Sequence, residues 1–178
     1  MEDGKRWITY KGRRLLVNEN GQIVKPTMTE EEKEKYFNKN YNIQFNKWAG
    51  EKYWDEEKKG YIFEPGIVSK TMAVYNNKTK EQVAYLTYNE VYDKSKRYDR
   101  KYYPNKINVY HIHTRENYRR EGIATQLYKN LQKEAGKEDI YFGKLSSDGK
   151  KLIKKIGKIT NQKTDDENNK YYWGRINL

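Results

Sequence analysis

The chain has 178 residues, with 37 Lys and Arg against 25 Asp and Glu, a formal net charge of +12, 35% hydrophobic residues, 18 Tyr and no Cys. That length allows one domain of about 100 to 150 residues plus an extension. Lack of cysteine excludes disulfides, a cysteine nucleophile and thiolate metal sites. No apolar run approaches the roughly 20 residues of a membrane helix, and MEDGKRW has no signal-peptide core, so a cytoplasmic protein with no membrane partner is expected.

Residues 5–24, KRWITYKGRRLLVNENGQIV, read as two short strands around Lys11 and Gly12 followed by a turn at 18–21. Residues 1–26 are therefore expected to form a β-hairpin extension, and 27–178 the main domain. Thr29 ahead of three glutamates reads as a helix cap and an acidic first turn, matched to the positive end of the helix dipole. Residues 40–60 mix Tyr41, Phe45, Trp48, Tyr53 and Trp54 with charge and read as broken helix that packs a few anchors onto the core. IVSKTMAVY and QVAYLTYNEVY, joined by NNKTKE, read as an antiparallel hairpin.

A basic loop, KSKRYDRKYYPNK, leads into the strand INVYHIHT at 107–114. The helix after it carries Ile123, Leu127, Leu131 and Ala135 as one apolar stripe, with Gly136 to stop it. DIYFGKL is a further strand. SSDGKKLIKKIGK is a capped helix with Leu152, Ile153 and Ile156 inward and Lys150, Lys151, Lys154 and Lys155 outward. A hydrophilic loop through Asn169 and a last strand, YYWGRINL, complete the chain. Strand, helix and strand in that order make a βαβ unit with parallel strands.

The turn NYRREGIAT, residues 117–125, joins strand to helix within that unit. A helix N-terminus offers unpaired N–H groups and partial positive charge. Gly122 and Ala124 let an anion approach the backbone, and Arg119 and Arg120 add charge at the rim. The turn is neither a Gly-Lys-Ser/Thr phosphate loop nor a three-glycine dinucleotide fingerprint.

Arg119-Arg120-Glu121-Gly122-Ile123-Ala124 resembles the turn of the GNAT family of N-acetyltransferases, in which Arg or Gln is followed by two residues, Gly, one residue, and Gly or Ala. The resemblance extends over about residues 67–178, with TEEEKEKYF standing for the family's first helix. It implies an α+β (α/β) fold: a mixed, mostly antiparallel central sheet with a βαβ unit that binds acyl-CoA, here with a small N-terminal β extension. It also implies that Arg119, Arg120, Glu121, Gly122, Ile123, Ala124 and Thr125 hold the pyrophosphate of acetyl-CoA, the co-substrate. Ile112, His113 and Thr114 would then pair with its pantetheine arm, with Ser146 beside them.

A second family register reads Ser146, Gly149, Leu152-Ile153, Lys155 and Gly157 here. Ile153 stands where many relatives carry the tyrosine that protonates the leaving thiolate, and isoleucine has no proton to give. Ser146, in place of the usual Asn, retains a hydroxyl. A lysine-type amine has a pKa near 10.4, so a base is required. His113 and Ser146 are the catalytic candidates, with His111, Glu90 and Glu116 as further possible bases; the two histidines alone make no metal site.

Two lysine-rich stretches, 94–106 with Tyr98, Tyr102 and Tyr103, and 144–163, join the charge of +12 in suggesting a macromolecular acceptor: a protein lysine, an aminoacyl-tRNA or a nucleic acid. The alternative is a non-catalytic module that kept the fold to bind nucleic acid or protein. Trp7-Ile8-Thr9, two residues, Gly12, two residues and Leu15 resemble a short β motif of phage head-morphogenesis polypeptides, which implies a phage origin.

Overall fold

The computed structural model describes residues 4–10, 13–25, 28–49, 52–63, 66–92 and 103–178. Lys11, Gly12 and most of the basic loop, including Tyr98 and Tyr102, lie outside the described residues.

Strands β1 (Arg6–Tyr10), β2 (Arg13–Val17) and β3 (Ile23–Lys25) form a three-stranded antiparallel sheet. The expected hairpin is thus extended by a short third strand. Helix α1 (Glu30–Asn40) starts where its cap chemistry places it. Thr29 Oγ1 accepts from Glu32 N at 3.2 Å while Glu32 Oε2 accepts from Thr29 N at 2.7 Å, a reciprocal capping box.

After Asn40, which ends α1, the described residues of the stretch 40–60 are not broken helix. They form strand β4 (Tyr41–Ala49) and a separate hairpin of β5 (Lys52–Asp55) and β6 (Gly60–Phe63). The alternation of Tyr41, Ile43 and Phe45 with Asn42, Gln44 and Asn46 has the period of a strand, and Asn is a poor helix former. Tyr41 is buried, as an anchor should be, whereas Phe45 is 55% exposed because β4 is an edge strand.

Strands β7 (Ile67–Asn76), β8 (Gln82–Val91) and β9 (Ile107–Thr114) follow, then α2 (Ile123–Ala135), β10 (Ile140–Gly143), α3 (Ser147–Ile156), β11 (Gly157–Thr164) and β12 (Lys170–Ile176). The main sheet has the order β11-β12-β10-β9-β8-β7-β4, antiparallel throughout except between β9 and β10. Strand β11 runs through the stretch read as a hydrophilic loop. Its polar residues fit an edge strand that is largely solvent-exposed, where an apolar pattern is not needed.

Ile123, Leu127, Leu131 and Ala135 are all buried, and α2 lies on β8, β9 and β12. Phe37 of α1 and Ile153 of α3 enter the same core as Met72, Leu86 and Ile107. Gly157 begins β11 where a Cβ would stand 2.1 Å from Arg175 O, so the last glycine of the second family register is required by strand packing.

Candidate active site

Strand β9 holds two departures from regular pairing. Thr87 pairs with His111 but Tyr88 with Val109, so Tyr110 is an extra, bulged residue, 76% exposed. On its other side β9 meets β10 only at Asn108 opposite Tyr141. On that side residues 109–114 run on with no strand paired to them among the described residues. Their outward backbone groups form an open edge to which an extended ligand can bond.

The closed end of this split is pinned by polar side chains. Asn108 is 2% exposed; its Oδ1 accepts from Asn105 N at 3.0 Å, and its Nδ2 donates to Asn105 O at 2.6 Å. Asn105 in turn donates to Asp139 O and accepts from Trp173 Nε1 at 2.9 Å. One cluster therefore ties the base of β9 to the start of β10 and to β12, so the strands separate from a fixed point.

The open edge leads to the mouth of α2. A 3₁₀ turn at Glu116–Tyr118 is followed by Arg119, whose Nε donates to Thr114 O at 3.2 Å. Arg120 has φ 65° and Gly122 φ 81°. A left-handed conformation is uncommon for a residue with a Cβ, and the turn uses it twice in three residues. Gly122 is the N-cap of α2 and supplies no side-chain cap, whereas Thr29 caps α1 and Ser146 caps α3. The first intrahelical bond runs from Gln126 N to Gly122 O, so the amides of Ile123, Ala124 and Thr125 are left for a ligand. A Cβ on Gly122 would meet nothing within 4 Å, so the approach to these amides is open.

Glu121 is held on the α1 side of the turn. Tyr41 OH and Tyr36 OH both donate to its Oε2, the latter at 3.3 Å, and Arg14 Nη1 lies 3.7 Å from its Oε1. Burial, then the carboxylate beside it, raises the Tyr41 phenol well above its ordinary value. Burial also raises Tyr36, against the opposing pull of Arg14. Glu121 is thus a tether between turn, helix and N-terminal sheet. Nothing in the sequence pointed to Arg14, Tyr36 or Tyr41, because these contacts span 80 or more positions.

The mouth of α2 opens into a cavity of about 550 Å³, lined by Arg120, Gly122, Thr125 and Lys129 of α2 and its approach, by Lys155 and Ile156 of α3, and by Arg14 and α1. Of the residues expected to bind the co-substrate, Arg120, Glu121, Gly122 and Thr125 line this cavity. Ile123 is buried in the core, so only its backbone can serve a ligand. Ile112 and Thr114 lie on the open edge of β9.

His111 and His113 share a face as strand alternation requires. Both stack against Tyr85, with ring centroids 5.6 and 5.7 Å away, and both are exposed. Ser146 is exposed at the α3 N-cap; its Oγ accepts from Gly149 N at 3.0 Å and keeps its own proton to donate. Glu116 is exposed in the 3₁₀ turn. Glu90 is committed to Lys70, within a network that includes Glu134 and Tyr88 at the far end of α2. Ile153, at the position of the family's tyrosine, is fully buried. Among the described residues no cluster of three or more metal-binding side chains occurs.

A helix mouth without a side-chain cap, beside a sheet split along one strand, presents unpaired amides next to an open strand edge. The profile of the Acetyltransferase (GNAT) family matches residues 26–148, well over half the chain, and the chain belongs to that family. Its members generally transfer an acetyl group from acetyl-CoA to an amine nitrogen. No curated protein matches the chain. Among the described residues no helix is long and apolar enough to cross a membrane.

Proposed function

We propose that this chain is an acetyl-CoA-dependent N-acetyltransferase whose acceptor is an amine on a macromolecule. The observation that carries the reading is the uncapped, open mouth of α2 directly beyond the free edge of β9. The amides of residues 123–125 and the Arg120 guanidinium would hold the pyrophosphate, and the backbone of residues 109–114 would align the pantetheine arm. In the transfer a C–N bond forms and the thioester C–S bond breaks. The amine gives up a proton, and the thiolate takes one. Tyr110, freed from the β8 ladder by the bulge, puts unpaired backbone groups next to the place where charge develops.

His113 and His111 are the exposed bases on the strand that would line the acyl site, and the Ser146 hydroxyl would be the proton donor in place of the tyrosine lost at Ile153. The acceptor is read from charge. Lys151, Lys154, Lys155, Lys158 and Lys163 are exposed along α3 and β11, a cationic surface suited to an acidic protein or to nucleic acid. A phage origin, implied by the motif in residues 7–15, would make a host macromolecule the target.

The test is a lysate incubated with the chain and acetyl-labelled acetyl-CoA, then separated into protein, RNA, DNA and small molecules. Label in a macromolecular fraction is the expected result; label in small amines alone would reject a macromolecular acceptor. No transfer, together with salt-sensitive binding to DNA or RNA, would support the second reading: a non-catalytic module that uses the α3 lysines and has lost the family's acid.

A further inference from the structure

The main sheet ends in two free edges that are guarded differently. Strand β11 shows exposed Lys158 and Lys163 along its length. Strand β4, YNIQFNKWA, carries one charge in nine residues of a chain that is 35% charged; it has no proline and pairs with β7 without a bulge. Charge, proline and bulges are what keep an edge strand from adding another chain, so β4 is the edge left open to one. Phe45 stands on it at 55% exposure, with Ile43 half-buried beside it.

Two hydrogen bonds fix which way its backbone groups point. Asn40 O accepts from Asn77 N at 2.8 Å, and Tyr41 N donates to Phe37 O, away from β7. Bonding alternates along an antiparallel pair, so Asn42, Gln44 and Asn46 direct N–H and C=O to β7, and Ile43 and Phe45 turn theirs to the open edge. The side chains on either side of Gln44 repeat in both directions: Ile43 and Phe45 are apolar, and Asn42 and Asn46 are exposed carboxamides. A strand that reads alike both ways is complementary to a second copy of itself.

We infer that two copies of this chain join through β4, antiparallel and centred on Gln44, into one continuous sheet. Ile43 then lies opposite the partner's Phe45 and Phe45 opposite the partner's Ile43, so the outward N–H and C=O groups of each meet those of the other. An aromatic facing a β-branched residue is a favourable cross-strand pair, and the two-fold axis makes it twice. On the opposite face of the sheet Gln44 meets the partner's Gln44, and Asn42 meets the partner's Asn46. A slip of one residue sets outward groups against inward ones. A slip of two sets Lys47 against the partner's Ile43, or Phe45 against the partner's Tyr41, whose N–H is already used.

Sedimentation velocity of the full chain from about 1 to 300 µM reads the association directly. Wild type should pass from 21.5 kDa to twice that mass with a dissociation constant on the order of 10 µM. Phe45→Lys, at an exposed position that leaves the fold intact by circular dichroism, should weaken it by ~10-fold or more. Because the chain has no cysteine, single cysteines report the register. Gln44→Cys sets two thiols face to face, within disulfide reach, and should cross-link under mild oxidation; Asn46→Cys sets them about 13 Å apart and should not. A wild type that stays monomeric throughout, a dimer unchanged by Phe45→Lys, or cross-linking of Asn46→Cys as readily as of Gln44→Cys would overturn the inference.

Discussion

Tyr41, where α1 gives way to β4, donates its phenol proton to Glu121 in the turn that opens α2, across 80 positions of sequence. With Tyr36 and Arg14 on the same carboxylate, the first helix and the N-terminal sheet are fastened to the loop expected to grip the co-substrate.

Glu121→Gln tests whether this carboxylate is a tether or a base. It should lower stability by about 1 to 2 kcal/mol, the worth of charge-assisted hydrogen bonds that are weakened and not wholly lost. The KM for acetyl-CoA should rise, while kcat stays within about twofold, because an interaction that positions the turn is made equally in ground and transition states. Thermal melts and steady-state kinetics check this. A collapse of kcat with loss of the acidic limb of the pH profile would make Glu121 the general base.

Tyr128 of α2 is buried at 2% exposure, and burial alone pushes its phenol up to about 12. Between the ordinary tyrosine value near 10 and that figure, the unfolded chain has lost the proton and the folded chain keeps it. Stability is therefore complete below pH 10 and falls as pH rises towards 12, by up to about 3 kcal/mol from this group. Tyr128→Phe should hold its stability at pH 7 and show a shallower decline above pH 10 by denaturant unfolding. An identical alkaline slope in both proteins would rule out the assignment.

Restoring the family's tyrosine at Ile153 should not restore an acid. Ile153 is fully buried in the common core, so Ile153→Tyr must overpack it or displace α3, at about 1 to 3 kcal/mol. The variant should melt lower and gain no kcat. A rise in kcat with the melting temperature preserved would show that the position still faces the acyl group.

The elements legible in sequence were those whose signals are local. Thr29 and Glu32 announce α1 within four residues, and the stripe from Ile123 to Ala135 with Gly136 behind it announces α2. Strand β4 carries a strand's alternation over only a few apolar positions, and β11 carries none because an exposed edge strand needs no apolar pattern. The turn around Gly122, expected to seat an anion, lies at a helix mouth without a side-chain cap, and its glycine is favoured by a φ of 81° whatever binds there. The divergence of β9 from β10 and the tether at Glu121 depend on residues far apart in the chain, and no spacing rule could have found them.

The α2 mouth and the open edge of β9 are proposed to hold acetyl-CoA. Calorimetric titration of acetyl-CoA into the full chain, beside Gly122→Trp, tests it most directly. Wild type should bind with a dissociation constant on the order of micromolar and the variant ~100-fold or more weakly, with the circular dichroism spectrum retained. No heat of binding in wild type, or equal affinity in both proteins, would contradict it.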